Sequence, residues 1–206
     1  MNKRKILLTF FITLVLVLVI VGGIAVYVFT RENEVIEIKA EDITVNTLVV
    51  NDEGTIQSAL VEPFDKDYYK IDELKEFVKK DLKTYNKDNS TNVSLLDAKK
   101  NGDKAVLVFH YGSIEDYSKY NEVKAFVFNT QEALKDERVP SNLREYEGSE
   151  VPKDSVYKDE KLVTVVLEAD TELIVNGKIK YYSGCEVTAE NKVVAKSGER
   201  AVVVFK

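Results

Sequence analysis

The stretch LVTVVLEADTELIVNGKIKYYSGCEVTAENKVVAKSGERAVVVF, Leu162 to Phe205, decides the reading of the fold. Turn-forming dipeptides recur in it every seven residues: Ala169-Asp170, Asn176-Gly177, Ser183-Gly184, Glu190-Asn191 and Ser197-Gly198. Between them stand short runs such as KIKYY, CEVTA and KVVAK, and then a last run, ERAVVVF. These are rich in β-branched and aromatic residues, which suit a pleated, half-buried surface. A short strand closed by a two-residue turn reverses direction, so the pattern predicts an antiparallel β-meander over 161–206, with a small solenoid of rungs as the alternative. Simple alternation puts Ile179, Tyr181, Cys185, Val187 and Ala189 on one face.

Upstream, residues 136–160 are polar and hold Pro140 and Pro152, which reads as a long loop separating the meander from an α+β lobe at 43–135. That lobe opens with two alternating runs, Ile43–Val50 and Thr55–Val61, joined by the turn-forming Asn51-Asp52-Glu53-Gly54, a hairpin. From Asp72, a candidate N-cap, Leu74, Phe77, Val78, Leu82 and Tyr85 recur at spacings of three and four, which predicts one long amphipathic helix. A second hairpin is expected from Val93–Ala98 and Ala105–Tyr111 around Asn101-Gly102, with the run AVLVFHY apolar on both faces and therefore central. Ser113 and Asp116 mark the start of a short helix, Val123–Phe128 a buried strand, and Asn129 or Thr130 the cap of another short helix through Leu134.

At the other end of the chain, Ile6–Phe29 is an unbroken apolar run of 24 residues, interrupted only by Thr9 and Thr13. As a helix it reaches about 36 Å at 1.5 Å per residue, enough to cross a hydrocarbon core of about 30 Å. The run is longer than the apolar stretch of a signal peptide and ends without a small-residue cleavage site, and no cysteine stands at its end for lipidation. Lys3, Arg4 and Lys5 precede it, so the positive-inside rule puts residues 1–5 in the cytoplasm and the remainder outside. The expected layout is thus a single-pass transmembrane helix at 6–30, a short stalk at 31–42 and an extracytoplasmic domain at the cell membrane. The expected fold class is α+β: an N-terminal transmembrane helix, then an antiparallel-rich sheet with one long and two short helices and the C-terminal β-meander.

Without Lys3, Arg4 and Lys5 the chain keeps 26 Lys and Arg against 35 Asp and Glu, a formal charge of −9. Such a surface repels phosphate backbones, which argues against nucleic-acid partners. One cysteine, Cys185, allows no internal disulfide, so packing has to stabilise the domain.

The sequence points to no catalytic, cofactor-binding or metal-ligating residue. His110 is the only histidine and lies in an apolar strand, which fits a hydrogen-bonded strand-end side chain and excludes a zinc site built on several histidines. Cys185 sits in YYSGCEVTA, without the histidine and arginine context of a cysteine transpeptidase, and reads as a small buried hydrophobe. Asn86–Asp97, NKDNSTNVSLLD, carries oxygen-bearing side chains in the order of a calcium loop, yet has Thr91 where the sharp turn needs glycine and Asp97 where the bidentate glutamate belongs. Asp65, Asp67, Asp72 and Glu73 gather before and within the start of the long helix, where its dipole favours carboxylates. Eleven tyrosines and no tryptophan, including Tyr68-Tyr69, Tyr117, Tyr120, Tyr146, Tyr157 and Tyr181-Tyr182, offer material for an interaction face.

The segment VNTLVVNDEGTIQSALVEPFDKDYYKIDELKEFVKKDLKTYN, Val45–Asn86, resembles a group of uncharacterised lipoprotein-like surface proteins of Gram-positive anaerobes, as does the later Gly177–Ser183. The likeness carries no catalytic motif. It implies a Gram-positive cell surface, with the apolar run here in place of a lipidated cysteine. Two functions follow as expectations: a non-enzymatic module that binds an envelope protein or cell-wall glycan, or alternatively a carboxylate-based envelope glycan hydrolase.

Overall fold

The computed structural model describes residues 35–206 apart from 52, 53, 159, 160 and 197. Ile36–Lys206 forms one compact unit. The transmembrane helix expected at 6–30 lies outside the described residues, and among the described residues no helix is long and apolar enough to cross a membrane. What the structure shows is a sheet-rich α+β unit with two sheets in place of one, and one long and three short helices in place of one long and two short.

In chain order the strands are β1 (Thr47–Val50), β2 (Ile56–Pro63), β3 (Val93–Asn101), β4 (Lys104–Tyr111), β5 (Lys124–Asn129), β6 (Asn142–Glu145), β7 (Glu150–Pro152), β8 (Val163–Glu168), β9 (Thr171–Val175), β10 (Ile179–Ser183), β11 (Glu186–Ala189), β12 (Lys192–Ala195) and β13 (Ala201–Phe205). The helices are α1 (Ile71–Asn89), α2 (Ile114–Tyr120), α3 (Thr130–Lys135) and α4 (Lys153–Val156). The first sheet has the order β11-β12-β9-β1-β2-β4-β3, the second β5-β8-β13-β10-β6-β7.

The hairpin signals locate their strands. Val50 faces Ile56 across the first turn, and Asn101 faces Lys104 across the second. In that second turn the central pair is Gly102-Asp103, one residue later than the Asn-Gly signal suggests. Gly102 has φ +62°, as a turn with glycine at its first central position requires. β4 is apolar on both faces for a visible reason. Leu107 and Phe109 point into the main core, while Val106 and Val108 meet Ala40 and Ile38 on the outer side.

The segment read as a stalk therefore packs as a strap from residue 36 onward. Asn51 Oδ1 accepts from the Ile36 amide at 3.0 Å, Gln57 Oε1 from the Ile38 amide at 3.1 Å, and Asn101 Nδ2 donates to the Ala40 carbonyl at 2.8 Å. Lys99 pairs with Glu41 beside them. Each fully buried valine stabilises by about 1.5–3 kcal/mol relative to exposure, so the strap keeps the value of Val106 and Val108 to the fold.

The C-terminal stretch does not form a meander. β8 pairs with β5 and β13, β9 with β1 and β12, and β10 with β13 and β6; only β11 and β12 pair as sequence neighbours. The chain alternates between sheets, because a turn dipeptide says where a strand ends and not which sheet receives the next one. Glycines make two of the four crossings. At Gly177, φ +150°, a Cβ would lie 2.8 Å from the Lys206 backbone, and at Gly184, φ +65°, it would lie 2.1 Å from the Arg200 carbonyl oxygen. β9 runs parallel to β1 from Thr47↔Glu172 to Val50↔Val175, which draws the two ends of the domain together. The stretches 43–135 and 161–206 each supply strands to both sheets.

Other differences are local. A bulge between Ile179 and Tyr181 breaks the expected alternation, so Ile179 and Tyr182 face the main core and Tyr181 the outer cluster. Residues 136–160 hold β6, β7 and α4 where a polar loop was expected, with Val139, Leu143, Val156 and Tyr157 buried among polar neighbours too dense for periodicity to show them. β5, expected to be buried, is an edge strand with only Ala125 fully enclosed. α1 begins at Ile71 with Lys70 as an unbonded cap, and Asp72 falls in its first turn. The other caps follow the sequence: Ser113 accepts from the Asp116 amide, and Asn129 with Glu132 forms a capping box.

Substituting Gly184→Ala is expected to cost about 3 kcal/mol or more through clash and strain, and Gly198→Ala, at φ +84° in open space, about 1 kcal/mol. Urea unfolding of the two variants checks the contrast.

Candidate functional site

The loop between β2 and α1 carries Phe64, Tyr68 and Tyr69. The Phe64 amide donates to the Asp103 carbonyl at 2.6 Å and the Tyr69 amide to the Lys66 carbonyl at 3.1 Å, which fixes the loop against the β3–β4 turn. Tyr69 packs on Phe64 with ring centres 5.0 Å apart, and Tyr68 stands edge-on to Tyr69 at 4.9 Å. Across from them, α1 buries Leu82 completely, leaves Leu74 and Val78 half-buried, and exposes Phe77. Phe77 is 68% exposed and Tyr68 73%, large values for aromatic side chains.

Between loop and helix lies an open groove of about 590 Å³. Leu60, Leu107 and Phe109 form its floor, and Glu62, Lys70 and Glu73 stand among its polar lining residues. Lys70 pairs with Glu73 at 3.1 Å, whereas Glu62 has no ion pair with any described residue. The helical stripe was legible in the sequence, but the rotation that leaves Phe77 outside was not.

Most tyrosines serve the interior. Tyr117 and Tyr157 are buried, as is Tyr111, and the rings of Phe109, Tyr111, Tyr117, Tyr120 and Tyr85 form one contiguous cluster. Burial pushes the Tyr111 hydroxyl up to about 12, even though Asn121 donates to it at 3.1 Å and Ser58 shares a hydrogen bond with it at 2.9 Å. Tyr181 and Tyr182 are half-buried on opposite faces of β10, and Tyr146 packs against the main core.

The remaining candidates fall apart as sites. His110 is half-buried on the strap side of β4, between Gln57 and Ser94 on the flanking strands. Asn86–Asp97 forms no loop. Asn86–Asn89 ends α1, Ser90 takes a left-handed cap at φ +53°, and Val93–Asp97 is strand. Asn86 uses its side chain to tie helix to strand, accepting from the Val93 amide at 2.9 Å and donating to the Val93 carbonyl at 2.7 Å. No group of acidic, histidine and cysteine side chains among the described residues has the geometry to hold a metal ion. Asp65, Asp67, Asp72 and Glu73 are exposed and spread along loop and helix, apart from pairings with Lys66 and Lys70.

Cys185 is half-buried at the β10–β11 corner, in a concavity of about 420 Å³ that also receives Arg144, Glu150 and Lys196. Burial pushes its thiol up to about 12, the reverse of what a nucleophile needs.

Among the described residues, the carboxyl groups whose pKa departs from the ordinary value, Glu41, Asp136 and Glu168, all move down. Glu168 lines a cleft of about 540 Å³, where Arg200 Nε donates to it at 2.8 Å and Lys124 Nζ at 3.1 Å; both hold it ionised. A glycosidase acid needs the opposite, a desolvated carboxyl that keeps its proton. Asp136 is held at about 2, chiefly by the side chain of Arg138, whose guanidinium also lies 3.7 Å from the Phe126 ring centre. Comparison with known protein families, curated proteins and solved structures finds no match.

Two measurements follow. Alkylation of Cys185 by iodoacetamide at pH 8 is expected to be slower by at least tenfold in the folded chain than in urea, because the thiol stays protonated below about 12. Asp136 is depressed in the folded state, so its contribution is present above the ordinary carboxyl range and fades as pH falls from about 4 towards 2. Asp136→Asn is expected to flatten the pH dependence of the melting temperature in that window and to leave it unchanged in slope above pH 5.

Proposed function

We propose that this domain is a non-enzymatic binding module of the cell surface, held at the membrane by the apolar run Ile6–Phe29, and that the groove between the Phe64–Tyr69 loop and α1 is its binding face. The observation that carries this is the exposure of Phe77 and Tyr68 at the edge of a concave apolar floor. A folded chain hides large aromatic rings from water unless something else covers them, and exposed apolar patches on soluble domains mark interaction sites. Glu168, held ionised by Arg200 and Lys124, is not placed to donate a proton as a catalytic acid in its own cleft. The likeness of Val45–Asn86 to Gram-positive surface proteins supports the setting, and the partners this implies are an envelope protein or the wall glycan.

The test is retention from solubilised envelope protein and isolated wall glycan on the immobilised full chain, solubilised in neutral detergent. The expected result is a saturable partner whose retention falls at least tenfold with Phe77→Ser. Equal retention by the variant removes the groove from the function.

A further inference from the structure

The groove's chemistry narrows the kind of partner, an inference that rests on the binding role proposed above. Its floor of Leu60, Leu107 and Phe109 asks for apolar side chains. Its edge adds two open rings, Tyr68 and Phe77, whose faces carry the negative end of the aromatic quadrupole. The fold already uses the ring at the base of this loop as a seat for a cation: Lys100 Nζ lies 5.5 Å from the centre of Phe64. Tyr68 and Phe77 have no described cation over them.

Charge runs the same way. Lys70 and Glu73 neutralise each other at the groove, and Glu62 is left as the unmatched charge among its lining residues. Beyond the groove, the formal charge of −9 outside Lys3–Lys5 attracts basic partners over distances up to about a Debye length and repels anionic surfaces.

We propose that the groove binds a peptide segment of another protein that alternates apolar and basic side chains. The apolar ones rest on Leu60 and Leu107, and a basic one lies over the Tyr68 and Phe77 rings within reach of Glu62. Neutral sugars stack on the rings and donate their hydroxyls to a carboxylate but bring no charge to balance it, and anionic lipid headgroups meet repulsion from it.

The probe is an acetylated hexapeptide of alternating leucine and lysine, titrated calorimetrically into the full chain in neutral detergent with the empty-micelle heat subtracted. Saturable binding is expected, weakened at least tenfold by the pair Tyr68→Ser and Phe77→Ser and about threefold by Glu62→Gln. The remote Glu199→Gln is expected to leave it unchanged, and the peptide with serine in place of lysine to bind at least tenfold more weakly. The ring variants remove exposed side chains, and the isosteric Glu62→Gln gives a second readout should either ring prove to be needed for folding. If the serine peptide binds as tightly and is lost with the rings, the basic-partner proposal falls while the groove keeps its binding role. Equal weakening by Glu199→Gln and Glu62→Gln reduces the effect to diffuse charge and also overturns the proposal. Retention of wall glycan fragments that is lost with Phe77→Ser assigns the groove to sugars instead. No saturable binding of any peptide, by heat at two temperatures and by fluorescence anisotropy of a labelled peptide, overturns it outright.

Discussion

The parallel ladder between β1 and β9 is the contact on which the domain depends. It joins residues 47–50 to 172–175 across more than a hundred residues of intervening chain, and it places β2, β4 and β3 on one side of the first sheet and β12 and β11 on the other. Asn46 reinforces the junction from three directions. Its carbonyl accepts from the Glu172 amide and the Thr171 hydroxyl, while its side-chain oxygen accepts from the Val61 amide. Closing so long a loop is entropically costly, and the ladder is stable because it lies inside a core to which both sheets contribute.

Three apolar layers follow from that arrangement. The main core lies where the inner faces of both sheets meet, with α1 and α2 contributing Leu82, Ile114 and Tyr117. Outside the first sheet, the strap covers Ala59, Val106 and Val108 through amide side chains at Asn51, Gln57 and Asn101 that bind its backbone. Outside the second, α3 and α4 cover Val166, Val202 and Val204, and Leu143 and Val151 from that sheet's own β6–β7 edge join the same cluster. β4, β8 and β13 are therefore apolar on both faces, and short strands suffice because almost every residue in them is buried.

The candidate site is the place where this covering is incomplete. α1 packs against β3 and buries Leu82, but near its start Leu74 and Val78 stay half-buried beside the open groove that Leu60 and Leu107 line. The Phe64–Tyr69 loop bounds the opening without filling it. A groove with a fixed sheet floor and walls held by Phe64, Tyr69 and α1 is pre-formed, so a ligand entering it meets little ordering cost. That combination, and not any reactive side chain, is what sets this surface apart from the rest of the domain.

Much of the local structure was legible in the sequence because it is governed by residues a few positions apart. Asn51–Gly54 and Gly102 turn the hairpins, Ser113 and Asn129 cap their helices, and the Leu74–Tyr85 stripe makes α1, all through local hydrogen bonds or periodicity. The pairing of strands was not legible. The dipeptides at Asn176-Gly177 and Ser183-Gly184 terminate strands equally well for a meander or for a crossing between sheets. The choice lies in partners far along the chain: Val50 and Lys206 around Gly177, and Arg200 against Gly184. The bulge after Ile179, the strap's seat on Val106 and Val108, and the exposure of Phe77 belong to the same class. Outside residues 136–160, sequence by itself located the turns, the short-helix caps and the helical stripe to within a residue or two, since those forces act over a few residues. Only the tertiary structure decided which strands meet and which rings stay in water, because those outcomes depend on what every other element has already buried.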